Sequence, residues 1–138
     1  MNGRSVSVLK MALIVGLAGA CGEPEVSSLT YDDVSKAAQG RDAAAYRSYF
    51  AEIRGQRVAW SGRVVDVKTE HGDEFMEVGV LVVDLDGVAP EEDAILQVSA
   101  STAEDMAAGQ EVNFTGLIRD FEWTKQRPLL RLEVNDAH

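Results

Sequence analysis

Residues 55–67 read Gly-Gln-Arg-Val-Ala-Trp-Ser-Gly-Arg-Val-Val-Asp-Val, and residues 109–121 read Gly-Gln-Glu-Val-Asn-Phe-Thr-Gly-Leu-Ile-Arg-Asp-Phe. The aligned positions that match include Gly55 and Gly109, Gln56 and Gln110, Val58 and Val112, Trp60 and Phe114, Gly62 and Gly116, Asp66 and Asp120. Apolar and polar residues alternate through each copy, which is typical of a half-buried strand. The glycine midway through each copy indicates a bulge or a sharp bend. Two bent strands far apart in sequence predict a small closed barrel.

The segments around the two copies predict three more strands and flanking helices. Apolar residues within 75–85, 95–99 and 130–134 predict the strands, and those on both faces of 75–85 predict that something covers its outer side. Residues 42–53 predict a helix whose apolar stripe covers one end of the barrel; the stripe consists of Tyr46, Tyr49, Phe50 and Ile53. A capping box at residues 101–104 predicts a short helix between strands three and four. Five strands with a helix between the third and fourth is the arrangement of the OB-fold, a mainly β barrel.

The two copies also carry a family resemblance. Residues 53–62, Ile-Arg-Gly-Gln-Arg-Val-Ala-Trp-Ser-Gly, and residues 108–116, Ala-Gly-Gln-Glu-Val-Asn-Phe-Thr-Gly, resemble strands of the tRNA-anti-like OB-fold proteins. That group includes many short exported and lipid-anchored bacterial chains. The resemblance covers about residues 45–135 and implies the barrel, but it transfers no catalytic residue, since its motifs are structural glycines and valines.

The N-terminal residues have the order of an export signal. Arg4 and Lys10 precede an apolar run over 11–17 that is too short to span a bilayer, and small residues lead to Cys21. Residues 17–21, Leu-Ala-Gly-Ala-Cys, resemble a bacterial lipobox, although the leucine lies one place further upstream than in the commonest form. The resemblance implies cleavage before Cys21 and attachment of palmitate-type lipid to its sulfur. An ordinary secretory signal or an uncleaved anchor is the alternative.

The expected domain organisation follows from this signal. Residues 1–20 form the signal peptide, 21–30 a polar tether, 31–55 an N-terminal helical segment, and 56–135 the barrel. Glycine rather than aspartate after Cys21 favours an outer membrane, with the protein facing the periplasm.

The mature chain is strongly acidic. Without residues 1–20, 11 Lys and Arg residues face 23 Asp and Glu residues, a formal charge of −12. This charge repels phosphate backbones and anionic headgroups, so it argues against nucleic acid as a partner and predicts membrane contact through lipid alone.

The loop between the last two strands is the predicted ligand site. Two aromatic rings and four cations occur within thirteen positions, and the candidate ligand-binding residues are Arg119, Phe121, Trp123, Lys125, Arg127 and Arg131. In an OB-fold this loop flanks the usual binding surface, where rings stack bases or sugars and cations contact anions. The alternative is that Phe121 and Trp123 fill the end of the barrel while the cations balance an acidic surface.

Other polar clusters give weaker signals. His71 with three neighbouring carboxylates at 70–74 favours a solvated turn over a metal site. The acidic residues of 84–93 lack the EF-hand spacing, so the sequence leaves calcium binding open. No nucleophile with an adjacent base is visible. The sequence therefore predicts a non-catalytic, lipid-anchored envelope module without cofactor or metal, binding a protein or small envelope component. The alternative ligand is a single-stranded oligonucleotide or another anion.

Overall fold

The computed structural model describes residues 25–71 and 76–138. Two helices precede the strands: α1, Tyr31–Ala37, and α2, Ala43–Ile53. The strands are β1, Arg57–His71; β2, Glu77–Asp84; β3, Ala94–Ser99; β4, Glu111–Thr124; and β5, Arg127–Ala137, with helix α3, Ala100–Glu104, between β3 and β4. The predicted signal, Cys21, the start of the tether and residues 72–75 of the predicted turn lie outside the described residues.

The strands form a closed barrel in the order β1-β2-β3-β5-β4. All neighbouring pairs are antiparallel except β3 and β5, which run parallel. This order, with a helix between β3 and β4, is that of the OB-fold, and the predicted fold is confirmed.

The two copies of the repeated stretch are β1 and β4, and they pair with each other to close the barrel. Trp60 lies opposite Phe114, its own equivalent in the repeat, with ring centroids 6.5 Å apart. Because the strands are antiparallel, this pairing places the copies about a local two-fold axis. Gly62 faces Val112 on one side of the axis, and Val58 faces Gly116 on the other.

Each copy bulges at the same position. The register of β1 shifts between Val64 and Asp66, and that of β4 shifts between Ile118 and Asp120. In each bulge the aspartate accepts a hydrogen bond from the next backbone N–H, at 2.9 Å for Asp66 and 2.8 Å for Asp120. The repeated aspartates therefore hold the two bulges closed.

The middle glycine of each copy lies where a second strand approaches closely. A Cβ on Gly62 would lie 2.5 Å from the carbonyl oxygen of Asp84, and one on Gly116 would lie 2.7 Å from Cγ2 of Val134. The first glycine has a different role. Gly55 and Gly109 adopt φ angles of +87° and +92°, which L side chains rarely adopt.

The helices begin at side-chain caps. Asp42 accepts a bond from the N–H of Ala45 at 2.8 Å, and the buried face of α2 consists of Tyr46, Phe50 and Ile53. The expected cap of α3 at residues 101–104 is wrong. Ser99, still extended at the end of β3, accepts the N–H of Thr102 at 3.1 Å, so α3 begins directly after the strand.

Residues 26–29 lie against the start of β1. The N–H of Ser27 donates to the carbonyl of Arg57 at 2.6 Å, and Trp60 Nε1 donates to the carbonyl of Leu29 at 2.9 Å. Part of the predicted tether, from Val26 onward, is thus in contact with the barrel. None of the helices within the described ranges is long and apolar enough to cross a bilayer.

Candidate functional site

A groove of about 770 Å³ runs across the outer face of β2 and β3. Its floor is apolar and consists of Val78, Val80 and Val82 of β2 and Ile95 of β3. We call it the strand 2–3 groove. The sequence predicted that something covers the outer side of β2. Instead the valines on the outer side of β2 line the groove, while α2 packs on the end of β4.

The rim of the groove carries cations from three strands. Lys68 of β1, Arg119 of β4 and Arg131 of β5 line it together with Glu70, Asp120 and Glu133. Arg131 pairs with Glu122 at 3.2 Å, and Lys68 approaches Asp66 at 4.0 Å. Within residues 25–71 and 76–138, no carboxylate lies at ion-pair distance from Arg119, the extra residue of the β4 bulge. The groove thus combines an apolar floor with a rim of three cations and three carboxylates. Among these cations Arg119 is the one left to contact an anionic group of an extended ligand.

The predicted stacking rings lie elsewhere. Phe121 packs against Tyr46 and Phe50, at centroid distances of 5.1 and 4.8 Å, and Trp123 lies 5.6 Å from Tyr46. Both rings are half-buried against α2. Both rings therefore pack against side chains of the protein itself, on α2.

The cations of the β4–β5 turn are directed at the acidic segment before β3. Lys125 and Gln126, with φ of 53° and 62°, form a two-residue turn of the kind that suits a twisted hairpin. Lys125 pairs with Glu92 at 3.3 Å, while Arg127 donates to the Glu92 carbonyl at 2.7 Å and to the carboxylate of Asp93. These two cations already have partners within the protein.

Asp93 is fully buried beneath this turn. Its Oδ2 accepts the N–H groups of Leu85, at 2.6 Å, and Asp86, at 3.2 Å, while its Oδ1 faces Arg127. Burial raises the pKa of Asp93 to about 6, although the bonds from Leu85 and Arg127 act to lower it. Burial also raises the pKa of the Tyr31 phenol, and the nearby charge of Asp93 adds to that rise.

Asp84, Asp86 and Asp93 bring carboxylate oxygens within 4.8 Å of one another. Asp84 Oδ1 accepts the N–H of Gly87 at 2.8 Å, and its Oδ2 faces Arg63 at 3.4 Å. The two buried carboxylates are therefore bonded to backbone N–H groups and arginines, which explains the cluster as a network that closes the β2–β3 loop.

The six residues predicted to bind ligand thus divide into three pairs. Arg119 and Arg131 line the strand 2–3 groove, Phe121 and Trp123 pack on α2, and Lys125 and Arg127 bond to residues 92 and 93. The valines of β2 are the groove residues that the sequence did not single out. Their signal was the run of apolar residues on both faces of that strand. His71 lies at the groove beside exposed Met76.

Comparison with solved structures supports the fold. The chain is similar to a protein from Klebsiella pneumoniae subsp. pneumoniae described as a "putative nucleic acid-binding lipoprotein", with a TM-score of 0.56 and 10% sequence identity. The match covers 94% of this chain and 98% of that one. No protein-family model matches the chain, and no curated protein is significantly similar to it.

This similarity corrects one expectation from the sequence. Net acidity argued against nucleic acid as a partner, yet a protein with the same fold over almost its whole length is described as a "putative nucleic acid-binding lipoprotein". The argument from net charge is therefore wrong as a ground for setting nucleic acid aside.

Proposed function

We propose that the protein is a non-catalytic binding module of the bacterial envelope, anchored by lipid on Cys21, whose ligand lies in the strand 2–3 groove. We further propose that it is related to the tRNA-anti-like OB-fold proteins, which the repeated strands resemble. The ligand is a protein segment or small envelope component with anionic groups. Gly22 favours the periplasmic side of an outer membrane as the location.

One observation carries the proposal. In a chain with roughly twice as many acids as bases, cations from three strands match the carboxylates in number along one groove with an apolar floor. Of these cations, Arg119 lies at ion-pair distance from no carboxylate within residues 25–71 and 76–138. The strands 2–3 face is also where OB-folds commonly bind elongated ligands. A non-catalytic role is supported by the sequence, which places no nucleophile beside a base.

Single-stranded nucleic acid is a second candidate for the same groove. It is favoured by the three cations and by the description of the Klebsiella protein. The groove differs from a typical stacking platform, because Phe121 and Trp123 pack on α2. Nucleic acid would therefore be bound through phosphates, with a salt dependence set by three contacts.

The test uses two anionic probes, hexathymidylate and hexaglutamate, titrated into the folded domain and followed by fluorescence anisotropy over a salt series. The double variant Arg119→Ala/Arg131→Ala is compared with Lys36→Ala/Lys125→Ala, which removes the same charge away from the groove. We expect only the groove variant to lose affinity, by tenfold or more. If a single-stranded nucleic acid contacts three cations, a plot of the logarithm of the binding constant against the logarithm of the salt concentration should have a slope of about −2.

The two candidates predict different outcomes. Tighter binding of hexathymidylate supports nucleic acid, and tighter binding of hexaglutamate supports an acidic protein segment. Equal losses in both double variants, or no binding of either probe at low salt, would refute the groove as an anion site.

The anchor is tested separately. Replacing Cys21 with serine is expected to move the protein from the membrane fraction to the soluble fraction, since the proposed attachment is only through lipid. Ser101→Ala, distant in sequence from the anchor, is the control. Unchanged fractionation of the Cys21 variant would contradict lipid attachment without affecting the groove.

A further inference from the structure

Strand β1 has a gap in its hydrogen bonding on the edge away from β4. Ile118 donates to the carbonyl of Gln56 at 3.0 Å, and Val64 donates to that of Gln110 at 2.8 Å. The β1–β4 register runs without a shift between these points. Even-numbered residues of β1 therefore bond to β4, and the backbone groups of odd-numbered residues point to the opposite edge.

Among residues 25–71 and 76–138, no strand lies beside two residues on that edge. Arg57 is bridged by Val26, and Arg63 pairs with Asp84 of β2. Between them lie Ala59 and Ser61, and no loop or side-chain bond within the described ranges reaches their N–H or C=O groups. Both residues are exposed. The gap from Arg57 to Arg63 is about 20 Å long in extended chain, which is room for a short peptide.

The chain already uses this edge in the way a ligand would. Residues 26–27 run parallel to β1 and bond to Arg57. They then leave the edge, because the carbonyl of Leu29 turns to Trp60 Nε1 and Thr30 caps α1. The added strand therefore stops at the point where the open edge begins.

A groove of about 510 Å³ lies along the open edge, between α1 and the loop after β2. It is lined by Tyr31, Asp32, Ser35, Ala59, Trp60, Ser61, Leu85 and Asp86. A second hollow of about 390 Å³ shares Ser61 and Leu85 and adds Arg63, Asp84 and Glu111. We call the two together the edge groove.

The edge groove is acidic, whereas cations and carboxylates are equal in number along the strand 2–3 groove. Asp32, Asp84, Asp86 and Glu111 line it, and Arg63, its cation, already faces Asp84 and Glu91 at 3.4 Å. Apolar surface comes from Tyr31, Trp60 and Leu85. An anionic ligand would be repelled here, whereas a cationic one would be attracted.

We propose that the edge groove binds an extended, positively charged segment of a partner protein, which adds as a strand to β1 at Ala59 and Ser61. Backbone bonds to a sheet edge provide affinity that is independent of sequence, and the acidic walls select Lys or Arg side chains. This site is separate from the strand 2–3 groove and independent of its ligand.

The probe is the blocked peptide acetyl-Val-Lys-Val-Lys-Val-amide, compared with its glutamate counterpart and with a version N-methylated on alternate amides. Amide NMR of the folded domain follows both chemical shifts and hydrogen exchange. We expect the lysine peptide to slow exchange at Ala59 and Ser61 by at least tenfold. The glutamate and N-methylated peptides are expected to bind at least tenfold more weakly.

Two variants locate the site. Ala59→Pro removes an N–H that faces the groove while leaving the ladder to β4 intact, and it should abolish binding of the lysine peptide. Asp32→Asn/Asp86→Asn should weaken binding several-fold, whereas the matched pair Glu70→Gln/Glu133→Gln on the strand 2–3 groove should not. Should Ala59→Pro fail to fold, the N-methylated peptide provides the same test.

Three results would overturn the proposal. These are equal affinity for the lysine and glutamate peptides, unchanged exchange at Ala59 and Ser61 with millimolar lysine peptide, and chemical shift changes confined to the strand 2–3 groove.

Discussion

Each copy of the repeated stretch has one glycine just before its strand and one within it, and the two kinds should tolerate substitutions in opposite orders. Gly62 is constrained by space: an added Cβ would lie 2.5 Å from the backbone oxygen of Asp84 and 2.8 Å from Cδ2 of Leu85. Gly109 is constrained by conformation: its φ is +92°, and nothing lies within 4 Å of an added Cβ. Alanine and asparagine distinguish the two constraints.

At Gly62 the atom in the way belongs to the backbone, so β1 and β2 must move apart. We expect Gly62→Ala to lower the free energy of unfolding by about 1–3 kcal/mol, the usual range for overpacking. Gly62→Asn adds further atoms at the same point and should cost more. At Gly109, alanine should cost about 1–2 kcal/mol through its backbone conformation alone. Asparagine should cost less there, because it adopts positive φ more readily.

Urea unfolding followed by tryptophan fluorescence measures all four variants. The expected order of stability is alanine above asparagine at Gly62 and asparagine above alanine at Gly109. The m-values should match that of the parent chain, since the surface exposed on unfolding is unchanged. The same order at both positions would refute the assignment of one glycine to close approach and the other to backbone conformation.

Three further predictions concern stability. Asp120→Ala, which removes the acceptor for the N–H of Phe121, should cost about 0.5–1.5 kcal/mol in urea unfolding, while Asp120→Asn should stay close to the parent. Tyr46→Ala removes a fully buried ring beside Trp123, so it should cost about 3–5 kcal/mol and shift the fluorescence of Trp123 to longer wavelength; an unshifted spectrum would contradict that contact. Because burial raises the pKa of Asp93 from 3.8 to about 6, the folded state binds the proton more tightly than the unfolded one. The stability from this group is therefore present below pH 4 and lost as the pH rises through 6. Relative to the parent, Asp93→Asn should gain on the order of 1–3 kcal/mol in unfolding free energy between pH 3.5 and 7. A constant difference would show that the bonds from Arg127 and the backbone cancel the effect of burial, and a falling difference would show that they outweigh it.

The barrel was predictable because its closing pair is a repeat. Alternation fixed the inward residues of both copies, and the shared glycine fixed where each strand bends. The pairing of Trp60 with Phe114 then follows from one antiparallel ladder. Local periodicity was sufficient to identify the inward residues of β1 and β4, because one face of each of these two strands is buried and the other is more exposed.

The sequence did not determine which way the aromatic residues of the β4–β5 hairpin face. Buried positions on β4 are even-numbered as far as Ile118, but the bulge at Arg119 inserts one residue and brings Phe121 and Trp123 toward the helix side. The same change follows Val64 on β1, where Val67 is the next position packed on the core. The sequence does carry this signal: the apolar residues of β4 occupy even-numbered positions before the bulge and odd-numbered positions after the repeated aspartate. Recognising it requires knowing that the extra residue is a bulge, which depends on the partner strand.

Net charge misled for a different physical reason. A formal charge of −12 describes the field far from the protein, which governs encounter with a large polyanion at low salt. At physiological ionic strength the Debye length is about 8 Å, so a ligand in a groove senses mainly the groups that line it. In the strand 2–3 groove three cations balance three carboxylates, whereas in the edge groove carboxylates outnumber the single arginine. The two proposed sites would let one acidic barrel recognise two ligands of opposite charge, and raising the salt concentration should weaken both interactions rather than favour one over the other.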